Sequence, residues 1–112
     1  MEYKYNVYDD IYHLILTGEK TIEVRLLNEK SKKISIGDYI IFNNINKNRE
    51  QIKVRVLGKN IYDNLSLLIN DNDIEKILPH HSSLELTSLL TKIFGDIIRN
   101  SKMVAFQFEF VK

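Results

Sequence analysis

The sequence contains no cysteine, so it forms no disulfide, builds no thiolate zinc site and carries no cysteine nucleophile. Proline occurs once, at Pro79, and glycine four times, which leaves little room for linkers. Those glycines (Gly18, Gly37, Gly58 and Gly95) are scattered, so there is no Gly-rich phosphate loop. The serines and threonines show no nucleophile elbow. No apolar run approaches the roughly 20 residues of a membrane-spanning helix. Met1-Glu2-Tyr3-Lys4-Tyr5 lacks the apolar segment of a signal peptide. An excess of charge of one sign is missing too, since sixteen Lys+Arg face fifteen Asp+Glu. What is present is enough for one core: 112 residues, 44% of them hydrophobic. The expectation is a single domain over residues 1–112, soluble, cytoplasmic and monomeric, with no membrane contact.

Local patterning predicts the elements. Tyr3 to Val7 alternates and reads as a strand. Asp9 and Asp10 suit a helix start, Ile11, Leu14 and Ile15 fall at helical spacing, and Gly18 ends the helix. Thr21 to Leu27 is β-branched and alternating, with Ile22, Val24 and Leu26 on one face and Thr21, Glu23 and Arg25 on the other. Asn28 to Lys33 reads as a charged loop. Tyr39 to Phe42 and Gln51 to Leu57 are strands on either side of an Asn-rich turn. Short helices are expected near 65–69 and 73–78, the second stopped before Pro79. A longer helix starts at Ser82 or Ser83, helped by Glu85, and runs to Phe94-Gly95. Met103 to Val111 closes the chain as a strand, with Phe106, Phe108 and Phe110 as core. The pattern predicts a small α+β domain with a mostly antiparallel, barrel-like sheet.

Charge is uneven along the chain. Residues 20–59 hold ten bases and only four acids, and the remainder is acidic. A positive face of this kind suits phosphate-bearing ligands. Lysines decorating solvent-exposed strands and loops would look the same in sequence.

The densest chemistry lies in Gly18-Glu19-Lys20-Thr21-Ile22-Glu23-Val24-Arg25. Glu23 and Arg25 share a strand face, with Thr21 on the same side and Lys20 just before the strand. A lysine close to an arginine has a lowered pKa and can act as base or nucleophile. A glutamate beside it can move protons or hold a base edge, and an arginine offers a planar fork to a phosphate or a base carbonyl. A surface Glu–Arg pair on an ordinary strand is the plainer alternative.

The motif Gly18-x-Lys20-x-x-Glu23-x-Arg25, followed by a basic stretch and then Ile36-Gly37-Asp38-Tyr39-Ile40-Ile41-Phe42, resembles the ASCH domain, the activating-signal-cointegrator homology domain of the PUA-like superfamily. Leu78-Pro79, Lys92-Ile93-Phe94-Gly95 and Val104-Ala105-Phe106-Gln107-Phe108 extend the likeness over nearly the whole chain. The resemblance implies a small PUA-like β-barrel flanked by helices, and binding of RNA or a nucleotide derivative such as a modified nucleoside. Lys20, Thr21, Glu23 and Arg25 would then line the cleft. Lys30, Lys32, Lys33 and Lys53 would supply a basic rim, and Tyr39 or Tyr62 a stacking surface.

Some bacterial relatives hydrolyse the acetyl amide of acetylcytidine with a lysine matched by Lys20, a threonine three residues later and a glutamate before the long helix. This chain keeps the lysine, has Glu23 in place of the threonine, and brings His80 or His81 near the later position. Lys20, Glu23 and His80 are therefore the catalytic set of the alternative reading, a metal-independent hydrolase of RNA or acetylcytidine. No metal or other cofactor is expected: His80 and His81 point apart as neighbours, a helix N-terminus accounts for Asp9 and Asp10, and a metal site needs a more rigid framework and more ligands than these with His13 supply.

Overall fold

In the computed structural model, which describes residues 1–111, the chain runs through β1 (Glu2–Val7), α1 (Asp9–Leu16), β2 (Ile22–Leu26), α2 (Glu29–Lys33), β3 (Tyr39–Asn44), β4 (Gln51–Tyr62), α3 (Leu65–Asp71), α4 (Ile74–Ile77), α5 (Ser83–Phe94), a 3-10 turn (Asp96–Asn100) and β5 (Met103–Phe110). The strands form one sheet in the order β1-β3-β4-β5-β2. The β1–β3 pairing is parallel and the other three are antiparallel.

The sheet curls around a core of Tyr5, Ile40, Phe42, Val54, Val56 and Phe106, and α1 packs into the curl through Tyr12 and Ile15. A second core lies on the other face of β2 and β5, where Ile22, Val24 and Ala105 meet Leu68, Leu86 and Leu90 of the helices. Hence β2 is covered on both sides, and its alternation separates two interiors rather than core from solvent.

Four expectations change. The sheet is not a closed barrel: among the described residues no ladder joins its edges β1 and β2, and Arg25 Nη2 reaches across instead to the Asn6 carbonyl. Residues 29–33 are a helix rather than a loop. Asn28 accepts from the Ser31 amide at 2.9 Å, and Ser31 Oγ accepts from the Asn28 amide at 2.8 Å, a reciprocal cap that holds this single turn. Strand β4 continues to Tyr62, because pairing with β5 resumes beyond an irregularity at Gly58, where a Cβ would sit 2.5 Å from Gln107 Oε1. Phe110 is 43% exposed at the outer end of β5, so the apolar face of that strand stops at Phe108.

Candidate functional site

Lys20 is placed by the end of α1. Gly18 takes φ +82°, a left-handed turn that favours glycine, and the Lys20 amide then donates back to the Leu14 carbonyl at 3.0 Å. The lysine side chain is carried inward and is 4% exposed. Its Nζ donates to the carbonyls of Ile22 and Ile77, both at 2.7 Å, and stands 3.4 Å from Glu23 Oε1. An ammonium has three protons, and these three acceptors engage all of them. Lys20 therefore ties the start of β2 to the end of α4 and faces Glu23.

Glu23 and Arg25 occupy the inner face of β2, opposite Phe106 and Val104 of β5. Glu23 Oε2 accepts from Arg25 Nη2 at 2.9 Å and Nε at 3.3 Å, and Oε1 accepts from the Val24 amide at 3.2 Å. Burial disfavours the Glu23 carboxylate, but the charges of Arg25 and Lys20 outweigh it and hold the group below its ordinary range. Burial is also the main influence on Lys20 and pulls its pKa below the ordinary lysine value, against the attraction of Glu23.

Arg25 crosses the open seam. Its Nη2 donates to the Asn6 carbonyl of β1 at 3.3 Å, and its guanidinium lies over the Tyr5 ring at 4.1 Å from the centroid. Lys30 joins it there, 4.1 Å from the same centroid and donating to the Lys4 carbonyl. Arg25 thus bridges the two edge strands where there is no backbone ladder, and Lys30 ties α2 to β1 beside it. Tyr5 is buried and its hydroxyl has no partner among the described residues. Burial pushes its pKa up to about 12.

A cleft of about 240 Å³ opens beside this set. Lys20, Glu23 and Arg25 lie along one side with Asn6, while Leu86, Leu89 and Ile93 of α5 supply an apolar wall. Nη1 of Arg25 has no hydrogen-bond partner among the described residues. The cleft is therefore largely apolar, with one free guanidinium edge and a buried, nearly neutralised charge cluster behind it.

The other anticipated residues lie apart. Thr21 lines a different hollow, with Asn72 and Gln107. The His80 ring is exposed and meets Glu19 at 2.8 Å, outside the cleft. Tyr39 pairs in register with Glu2, at the opposite end of β1 from Asn6, and carries Lys53 over its ring. Tyr62 donates to Asp71 at the far end of β4. Lys32 and Lys33 are exposed on α2, and only Lys30 of that helix reaches the seam. Sequence reasoning missed Tyr5, Asn6 and the α5 wall. The wall had a signal, because Leu89 and Ile93 widen the apolar stripe of α5 beyond its buried Leu86 and Leu90. Asn6 had none. Among the described residues no His, Cys, Asp and Glu cluster of three or more could hold a metal ion, and no helix is long and apolar enough to cross a membrane.

Comparison with known proteins finds a family for the chain. Residues 6–76 match the family of the ASCH domain, well over half of the chain and including the whole Lys20–Arg25 motif. The chain belongs to the ASCH domain family. The crystal structure of the hypothetical protein PH0355 is similar over 99% of this chain and 100% of its own, with 30% identity and a TM-score of 0.81. The solution structure of protein PF0455 from Pyrococcus furiosus is 25% identical, covering 100% of this chain and 99% of that one, with a TM-score of 0.73. An ASCH protein from Zymomonas mobilis, the S128A mutant of ZmASCH, shares the fold at 13% identity, over 95% of this chain and 66% of its own, with a TM-score of 0.70. No curated protein matches the chain.

Proposed function

We propose that this ASCH domain binds RNA or a modified nucleoside by seating one base in the cleft between the β1–β2 seam and α5. The observation that carries this reading is Arg25 Nη1, which has no hydrogen-bond partner among the described residues, on the side of a mainly apolar recess. A flat, weakly polar body with an acceptor on its rim suits such a recess, and a nucleobase is that kind of body. Size narrows the choice. A recess of about 240 Å³ is below the usual small-molecule range of roughly 300–1,000 Å³, so it admits a base or a nucleoside and no larger piece of a strand. The Lys20–Glu23 pair fixes the guanidinium in advance, so little side-chain entropy remains to be lost on binding.

Hydrolysis finds one support, the burial that draws Lys20 below its ordinary range. The three occupied acceptors of its ammonium and the outward position of His80 favour a positioning role over a nucleophilic one.

Nucleosides (the four ribonucleosides and acetylcytidine) and a labelled single-stranded RNA pool are the probes. Arg25→Gln is expected to weaken binding by about tenfold, the worth of one charge-assisted hydrogen bond. Ile93→Trp, which fills the cleft from the exposed side of α5, is expected to abolish it. A probe that binds both variants as well as the native chain is held elsewhere, and the reading fails.

A further inference from the structure

A second recess adjoins the cleft, at the turn between β3 and β4. It measures about 270 Å³, and unlike the cleft it is polar, lined by Asn6, Asn43, Asn48, Arg49, Glu50 and Gln51. Asn6 and Ile45 line both recesses. We propose that this recess is a second subsite, which holds the nucleotide adjacent to the one in the cleft on the same single strand. The inference rests on the reading above and sharpens it, because a ligand that fills both recesses is an oligonucleotide and not a free nucleoside.

Register builds the amide row. Asn6 pairs with Asn43 across β1–β3, and Asn43 pairs with Gln51 across β3–β4, so three amide side chains stand side by side on three strands. Residues directly opposite one another share a face of the sheet. An amide row that served only the fold would satisfy itself. This one does not: Asn43 Nδ2 reaches Asn6 Oδ1 at a long 3.4 Å, and Asn43 Oδ1 is buried with no partner among the described residues. Amides carry both donors and acceptors, which is what a base edge requires, and Glu50 adds an acceptor for an exocyclic amino group.

Arg49 is the second observation. It adopts φ +73°, where glycine or asparagine is the expected occupant, and its side chain is exposed without a partner among the described residues. A guanidinium thus stands at a strained backbone position and makes no hydrogen bond or ion pair among the described residues. Beside a row of amides it is placed to take the phosphate that links two nucleotides. The turn itself is held firm. The Asn44 amide donates to the Glu50 carbonyl at 3.0 Å, Asn44 Nδ2 donates to Asp9 Oδ1 at 2.7 Å, and the Asp9 amide donates to Asn46 Oδ1 at 2.8 Å. Ile45, 49% exposed between the recesses, offers an apolar ridge against which two bases can lie.

The test compares the four nucleoside monophosphates with the four homodinucleotides ApA, CpC, GpG and UpU, by calorimetry on the full chain. At least one dinucleotide is expected to bind about tenfold more tightly than its mononucleotide, the combined worth of a second base and of the linking phosphate held by Arg49. Arg49→Gly removes the guanidinium and relaxes the backbone, so folding is not at risk, and it is expected to cut that ratio to about twofold or less. A ratio near one in the native chain overturns the second subsite and leaves the single-base cleft standing. A ratio unchanged in Arg49→Gly overturns the role of this recess. Binding of neither ligand class overturns both readings together.

Discussion

Glu23 is the residue on which the site turns. It stands buried between two cations, and its worth depends on pH in a direction that the charges fix. Its carboxyl lies below the ordinary value of 4.5 in the folded chain, so the unfolded chain takes up the proton first as the solution is acidified. The stability that Glu23 supplies is complete above 4.5 and is lost as pH falls through the folded value. Lys20 has a lowered pKa as well, and for a base this means that stability rises with pH between its folded value and the ordinary 10.5. Wherever the buried lysine carries its charge it is therefore a cost, which Glu23 offsets. Glu23→Gln leaves both cations without their partner and is expected to cost about 3–5 kcal/mol at neutral pH, as breaking a buried pair does. Urea melts between about pH 7 and about pH 3 check this, because below 4.5 the unfolded chain takes up the proton ahead of the native carboxyl and the deficit of the variant has to shrink. A deficit that stays constant down to the acid end would show that the carboxylate charge is not what matters. Alternation along β2 made the shared face of Glu23 and Arg25 legible in the sequence. Nothing in the sequence told that this face turns inward, because a covering layer is a property of the sheet and not of the strand.

Among the elements, α5 carries most of the cleft wall, and its start is unusually well defined. Ser82 Oγ accepts from the Glu85 amide at 3.2 Å, and Glu85 Oε1 accepts from the Ser82 amide at 3.0 Å. Ser82→Ala removes half of that cap and is expected to cost about 1 kcal/mol, while Ser82→Asp restores most of it. The midpoint of a urea melt measures both, and equal midpoints for Ala and Asp would sink the cap as the cause. The same pattern of Ser82 with Glu85, ended by Gly95, is why the sequence disclosed α5 in full. α2 escaped notice for the converse reason. Five residues rich in lysine show no apolar period, and only the pairing of Asn28 with Ser31 betrays the turn. β4 was read short because Gly58 looks like a stop, whereas the strand continues past it on pairs with β5 that only the tertiary fold supplies. Closure of the sheet was misjudged at the same level, since β1 and β2 are bridged by the Arg25 side chain and not by backbone.

For the molecule as a whole, the uneven charge of the sequence has to be set against what the bases are doing. Residues 20–59 hold ten of them, but half serve the fold. Lys20 is buried, Arg25 and Lys30 bridge the seam, Lys53 pairs with Glu2 at 2.6 Å, and Lys59 donates to the carbonyls of Lys32 and Ile34 at 2.9 and 2.7 Å. Lys47 leans on Asp9 at 3.8 Å. What remains for phosphates is Lys32, Lys33, Arg49 and Arg55, and these are spread between α2, the β3–β4 turn and the middle of β4. One strand passing the cleft cannot meet them all. Each phosphate neutralised on a single strand contributes about −0.7 to the slope of log K against log salt, so a slope no steeper than about −3 is expected, and nearer −1 if only Arg49 is engaged. A titration of single-stranded RNA across a range of salt concentrations gives the value directly. A slope well beyond −3 would mean that the lysines now tied to carbonyls and carboxylates let go on binding, and the ligand would then be held by a rearranged basic surface rather than by the cleft. A shallow slope, with affinity that still depends on Arg25, would mean that recognition of a base outweighs attraction to the backbone, as the proposed single-base cleft requires.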